Sequence, residues 1–322
     1  MDRRTGTSLA RLGITGPTAA ETLQKLGWWS GDRPTQGAEE IMWALARSPD
    51  QELALRAVER LSQTPPWPEI DAALHTDPGL RGRLFATLGS STALGDHLIA
   101  HPDSWSLLAD TPDRRNPPPD LSRRTATLLR AVGADPHAPA PGSAGGARAT
   151  LTGAEAVTAL RNAYRDELLG LASADLAAVG DPSLPAMEVD DVAAQLADLA
   201  EAAISAAVAV AAAEQDIPDE LRLAVIGMGK CGGRELNYVS DVDVIFVAEP
   251  GGDLTPAATK LAGRVMRVAG EACFEVDANL RPEGKQGALV RTLDGHVSYY
   301  QRWAKTWEFQ ALLKARPIAG DP

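Results

Sequence analysis

The chain has 322 residues, enough for about two domains, and its 44% hydrophobic and 23% charged residues are ordinary for a globular protein. Only two cysteines occur, Cys231 and Cys273, which excludes a disulfide framework and a thiolate zinc site. A formal net charge of -12 argues against a nucleic-acid partner held by general electrostatics, while leaving room for a local nucleotide pocket.

The opening MDRRTGTSLARLG carries charge with no apolar core behind it. No secretory signal is predicted, and a reducing cytoplasm is the expected compartment. From Ser8 to about Trp105 apolar residues recur at three- and four-residue spacing, as in Ala54, Ala57, Val58 and Leu61. That pattern predicts about five or six short helices. Trp28, Trp29, Trp43, Trp67 and Trp105 are assigned to packing between them. His97 and His101 stand at i, i+4, but no Glu follows His97 and Pro102 stops the helix, so a helix C-terminus is predicted instead of a metal site.

Asp110 to Asp120 reads as a connector. Gly133 to Gly153, rich in Pro, Gly and Ala, reads as a mobile surface loop that can hardly pack. Helices are expected at about Ser122 to Val132, Ala154 to Val179 and Glu188 to Gln215. The last contains the Ala-rich run Ala193 to Ala213, long enough to be weighed as a membrane span. Asp198 and Glu201 inside it and Glu214 after it predict a soluble helix. A buried strand follows at Leu221 to Ile226, then a glycine-rich turn with a short helix, then a strand opening at Asp241. Beyond it come a helix at Thr255 to Cys273, a strand at Phe274 to Arg281, an extended piece at Ala288 to Leu293, and helices at Asp294 to Ala304 and Thr306 to Ala315. This order predicts an α+β fold: a mostly helical region over 1–215, then a small mixed sheet with flanking helices over 216–322.

The chemistry concentrates between Leu221 and Val247. Gly227-Met-Gly-Lys-Cys-Gly232 matches G-x-G-x-x-G after a strand, and Glu249 follows at a suitable distance. A dinucleotide fold needs a crossover helix and roughly thirty residues per βαβ unit, whereas roughly nine residues separate Gly232 from Val242. No Walker A loop occurs. Asp241 and Asp243 stand two positions apart on a strand, so both side chains aim to one side, and Val242, Val244 and Phe246 aim to the other. Asp-x-Asp at a strand start is by itself a common solvated cap. Here it follows Gly232-Gly233 and precedes a third acid, Asp277, on a later strand. Glycines let backbone N–H groups approach phosphate oxygens, and three carboxylates suit one or two Mg2+ ions, two being the expectation. Ser240 is placed to touch a phosphate oxygen or to cap the turn. The two cysteines are read as packing residues, and Trp303 and Trp307 as packing for the last helices, with a place at the border of the nucleotide pocket as the alternative.

This combination resembles the polymerase-β-like nucleotidyltransferases. GMGKCGGRELNYVSDVDVIF and VDANLRPEGKQGALV, with TWEFQALLKARPIAGD at Thr306 to Asp321, more closely resemble the glutamine synthetase adenylyltransferase/adenylyl-removing family. A weaker likeness covers RLFATLGSSTALGDHLIAHP at Arg83 to Pro102. Where that family commonly has Leu after G-M-G-K, this chain has Cys231. The resemblance implies a polymerase-β-like core, and a fragment of a longer protein with two such domains. The ELN after the glycines points to the first domain, which removes AMP from a tyrosine of glutamine synthetase by phosphorolysis and releases ADP. It carries the metal role to Asp241, Asp243 and Asp277 and the phosphate-loop role to Gly232, Gly233 and Ser240. Asn237, Arg281 and Lys285 fall inside matched motifs; Arg281 could neutralise phosphate charge. The implied partners are glutamine synthetase, a PII-type regulatory protein, ADP or ATP, and phosphate. Adenylyl transfer from ATP and a non-catalytic nucleotide- or partner-sensing module are the alternatives.

Overall fold

The computed structural model describes residues 8–109, 120–143, 145–184 and 186–321. In chain order the α-helices and strands begin with α1 (Ala19–Lys25), β1 (Trp29–Ser30), β2 (Arg33–Pro34), α2 (Glu39–Ala46), α3 (Gln51–Leu61), α4 (Trp67–Thr76), α5 (Pro78–Leu88) and α6 (Thr92–Ala100). Then come α7 (Leu121–Ala131), α8 (Gly153–Asp175), α9 (Ala177–Gly180) and α10 (Val189–Ala213). The last part holds β3 (Arg222–Gly227), α11 (Gly229–Gly232), β4 (Val242–Glu249), α12 (Thr255–Ala272), β5 (Val276–Asp277), β6 (Val290–Arg291), α13 (Leu293–Arg302), α14 (Thr306–Leu312) and β7 (Arg316–Gly320). The fold is mixed helix and sheet, as the element order predicts.

The chain divides into two compact units, one of residues 1–118 and 168–188, the other of 119–167 and 189–322. The first is helical apart from the short antiparallel pair β1–β2. Asp50, Asp77 and Ser91 cap its helices by accepting backbone N–H groups of the first turn. Trp28 anchors its core, 1% exposed, against Trp67 and Phe85, and satisfies its indole N–H by donating to Asp71 at 2.8 Å. Trp29 is buried as well, whereas Trp43 is 44% exposed and does not serve the packing role expected of it. His97 is buried in the last turn of α6 beside His101, ring centroids 4.9 Å apart.

The second unit contains a five-stranded sheet. β3 pairs antiparallel with β4 and with β7, while β4 pairs parallel with β5 at one end and β6 at the other. The antiparallel β3–β4 pair removes the dinucleotide fold, whose first two strands run parallel. α12 packs on β4, β5 and β6, and α10 packs on α7, α12 and β7. The predicted boundary at 215 therefore differs from the division seen, because α10 belongs with the sheet. α10 is long and apolar enough to cross a membrane, but 89% of its most apolar window is buried inside the protein. Its Ala side chains let α7 and α12 approach closely. Arg124 on α7, 1% exposed, ties this layer together by donating to Glu167 and Gln195, both at 3.1 Å.

Three expectations change. The described part of 133–153 is irregular yet packed: Ala147 and Ala149 are buried, Ala149 N–H donates to the Ala209 carbonyl, and Leu223 N–H donates to the Gly142 carbonyl. Small side chains let this backbone lie directly against its neighbours. The strand expected at Phe274 to Arg281 shrinks to Val276–Asp277, because the backbone turns at Ala278, where Arg281 N–H donates back. β7 was not predicted; its Pro317 lacks a ladder donor, which an edge strand tolerates. The connector at 110–120 lies outside the described residues except for Asp120, which caps α7.

Candidate functional site

Strand register brings the acids together. Asp243 and Asp277 are direct partners in the parallel β4–β5 ladder, and Asp241 stands two residues before Asp243. One carboxylate oxygen from each of Asp241, Asp243 and Asp277 lies within 4.8 Å of the others. Asp277 is oriented by Asn279, whose backbone N–H and side-chain amide donate to its two oxygens at 2.6 and 2.8 Å. Burial pushes the Asp243 carboxyl above its usual range, and the charges of Asp241 and Asp277 push it the same way; only Lys230 opposes them. Three clustered carboxylates opposed by so little positive charge cost free energy that a hard divalent ion would recover, and an all-oxygen donor set suits Mg2+. The residues thus fit the ion that the sequence implies.

Because the Asp243 pKa is raised in the fold, its contribution favours stability below the ordinary carboxylate range and is lost as pH rises through the raised value. Asp243→Asn should therefore raise the cation-free melting temperature near neutral pH by about 1–3 °C, with the gain fading in acid. Mg2+ should raise the melting temperature of the parent chain and not of this variant. Differential scanning fluorimetry across pH, with and without Mg2+, checks both signs.

The glycine turn supports the cluster differently from the sequence expectation. The N–H groups of Gly232 and Gly233 donate to the Met228 and Gly229 carbonyls at 2.9 and 3.1 Å, so they close the turn instead of facing outward. Gly229 is the glycine that meets the acids. Its φ is +52°, and a Cβ there would lie 2.6 Å from Asp243 Oδ2. Met228 N–H also donates to the Asp243 carbonyl at 2.8 Å, locking the turn to β4. Lys230 Nζ donates to Asn237 Oδ1 at 2.9 Å, and Ser240 Oγ donates to the Asp241 carbonyl at 2.8 Å. Arg281 spends its guanidinium on the Ala278, Lys285 and Gly287 carbonyls, which makes it the clamp of its own turn. Lys285 sits exposed in that turn. Cys231 is buried and its thiol pushed up to about 12 by burial, in line with a packing role.

Four residues that sequence reasoning left without a role hold this turn from beneath. Asp198 and Glu201, one turn apart on α10, form ion pairs with Arg234 and Arg316. Arg316 also donates to the Gly232 carbonyl at 3.3 Å. Burial raises the Glu201 pKa, and Arg316 pulls it back. Two acids in an otherwise Ala-rich buried helix were the available signal. Glu201→Ala leaves Arg316 without its carboxylate partner and should cost about 1–3 kcal/mol, read by urea denaturation.

Comparison with known proteins places the chain in one family. A family model described as glutamate-ammonia ligase adenylyltransferase matches residues 82–322, a stretch containing all three acids. The chain belongs to the glutamate-ammonia ligase adenylyltransferase family. Among its relatives is a protein of Nocardia farcinica, 53% identical over 319 residues, covering 97% of this chain and 30% of the relative. A Mycolicibacterium smegmatis protein is 51% identical over 325 residues, covering 98% and 30%. A Mycobacterium tuberculosis protein is 50% identical over 321 residues, again covering 98% and 30%. All three are named bifunctional glutamine synthetase adenylyltransferase/adenylyl-removing enzyme. The chain spans about 30% of the length of the curated relatives it matches.

Proposed function

We propose that this chain carries a polymerase-β-like nucleotidyltransferase site that removes AMP from an adenylylated tyrosine of glutamine synthetase by phosphorolysis. The observation that carries the reading is the convergence of Asp241, Asp243 and Asp277, one oxygen from each within 4.8 Å, in a chain of this family. Those three residues would hold Mg2+, two ions being expected, which supply positive charge opposite the phosphoryl oxygens during in-line displacement. An oxygen of inorganic phosphate attacks the AMP phosphorus. The bond from phosphorus to the tyrosine oxygen breaks, the electron pair leaves with the phenolate, and solvent returns a proton. The products are ADP and unmodified glutamine synthetase.

The protein's own residues position these parts. Asn279 fixes the Asp277 carboxylate, Gly229 leaves space against Asp243, and the ion pairs from α10 hold the turn that frames the phosphates. Gly232 and Gly233 give the turn its tight shape, and Lys230, with Asn237 and Ser240 along the following loop, supplies polar groups near the acids. Arg281 and Lys285 lie in the turn after Asp277, which the Arg281 guanidinium holds in shape. Phosphate is already an anion, so no side chain need act as a strong base. A PII-type regulatory protein is the proposed second partner, on the family likeness.

The relatives' name contains both directions of transfer. Supplying phosphate with adenylylated glutamine synthetase, or ATP with the unmodified form, separates them. ADP from the first mixture and no AMP incorporation in the second is expected; the reverse pattern would reassign the chain to adenylyl transfer, and inactivity in both would favour a sensing module.

A further inference from the structure

Side chains on β4 alternate, so the face that presents Asp243 next presents Ile245 and then Val247. On the neighbouring strand Ile226 pairs directly with Ile245. These residues floor an open groove of about 680 Å³, with α13 and α14 forming its other wall through Val297, Tyr300 and Phe309 among others. The Tyr300 and Phe309 rings lie 5.7 Å apart. The groove is apolar, yet one buried polar side chain is among its lining residues. His296 is 8% exposed, lines the groove, and its Nε2 has no hydrogen-bond partner among the described residues. Such an orphaned atom in native structure calls for a partner.

Resting on the nucleotidyl-transfer reading, we propose that this groove seats the nucleobase of the transferred AMP, with His296 Nε2 accepting from the adenine amino group. Three observations carry the inference. The groove begins on the residue after next from Asp243, about 7 Å along the strand, which matches the short reach from a nucleotide's phosphorus to its base. It combines aliphatic flooring with aromatic walls, the composition that takes a flat heteroaromatic ring. Burial lowers the His296 pKa, and the Phe246 backbone bonds the ring, so the imidazole is neutral at physiological pH and has an acceptor to offer. A phenolic side chain of the protein substrate would fill only a small part of this volume.

The test is calorimetric binding of Mg2+ with ADP and, separately, Mg2+ with pyrophosphate, which lacks a base. Variants are His296→Phe, which keeps a ring without the acceptor, and Val297→Glu, at a position 44% exposed that does not build the core. Both should weaken ADP binding by about tenfold or more and leave pyrophosphate binding within about twofold. Purine riboside diphosphate, lacking the amino group, should bind the parent chain about as weakly as ADP binds His296→Phe. If the parent chain binds ADP and the variants bind it equally well, or lose ADP and pyrophosphate alike, the groove assignment is overturned and the acid site stands. If the parent chain binds neither ligand with Mg2+, the nucleotidyl-transfer reading falls and this inference with it.

Discussion

Replacing Asp241 or Asp243 by Asn should lower turnover by about 10³-fold or more while the folded state survives. The substitution removes one negative charge and one strong oxygen donor from a cluster whose members lie within 4.8 Å. A metal-held charge that stabilises a phosphoryl-transfer transition state contributes several kcal/mol, and each 1.36 kcal/mol is a factor of ten in rate. The fold should tolerate the change because Asp241 is exposed and Asp243 half-buried, and neither belongs to the apolar core. Relief of carboxylate repulsion even favours the variant in the absence of cation. Loss of activity combined with an unchanged or raised melting temperature is thus the signature of a functional cluster. Steady-state rates and thermal melts on the same preparations read it, and a variant retaining more than a tenth of the activity would speak against the acid site.

Two adjacent glycines should behave very differently. A Cβ at Gly232 would lie 2.1 Å from the Lys314 carbonyl oxygen and 2.4 Å from that of Gly227, both rigid backbone. Gly232→Ala must push the segment leading into β7, or the end of β3, aside, and overpacking of this kind costs about 1–3 kcal/mol or more. The displaced turn includes Gly229, against Asp243, so activity should fall by at least about tenfold as well. A Cβ at Gly233 would meet the Lys314 Cδ at 2.9 Å, the flexible stem of a half-exposed side chain that can swing away, and its nearest backbone atom is the Gly229 carbonyl oxygen at 3.3 Å, a mild crowding. Gly233→Ala should cost less than about 0.5 kcal/mol, as surface changes generally do. Denaturant midpoints of the two variants, measured side by side, check the contrast. Equal effects would mean that Lys314 and its carbonyl do not press on this turn.

Much of this was legible before the structure, for identifiable reasons. The strand–turn–strand around Asp241 announces itself through period-two alternation, and a run of nine residues is too short for a crossover helix. That spacing alone separated the site from the dinucleotide fingerprint it matches, and the antiparallel β3–β4 pair is its structural expression. The long helices were plain because apolar spacing persists over many turns. What stayed hidden depends on contacts between distant parts of the chain. Asp277 could be assigned to the cluster, but its register with Asp243 and its clamp by Asn279 could not be read. The N–H groups of Gly232 and Gly233 are used inside their own turn, a local hydrogen-bond choice to which composition is blind. Asp198 and Glu201 find their partners in Arg234 and Arg316, up to 115 positions away. Trp303 and Trp307, expected to pack, are 74% and 52% exposed, because α13 and α14 are joined instead through Tyr299 and the buried Glu308.

The most direct measurement follows the fate of labelled inorganic phosphate. Adenylylated glutamine synthetase is incubated with the chain, Mg2+ and phosphate carrying a phosphorus label, and the nucleotide product is isolated. Phosphorolysis predicts ADP with the label in the β position, formed at a rate that Asp243→Asn abolishes. Release of unlabelled AMP, or labelled ADP at an unchanged rate in that variant, would contradict phosphorolysis at the acid cluster.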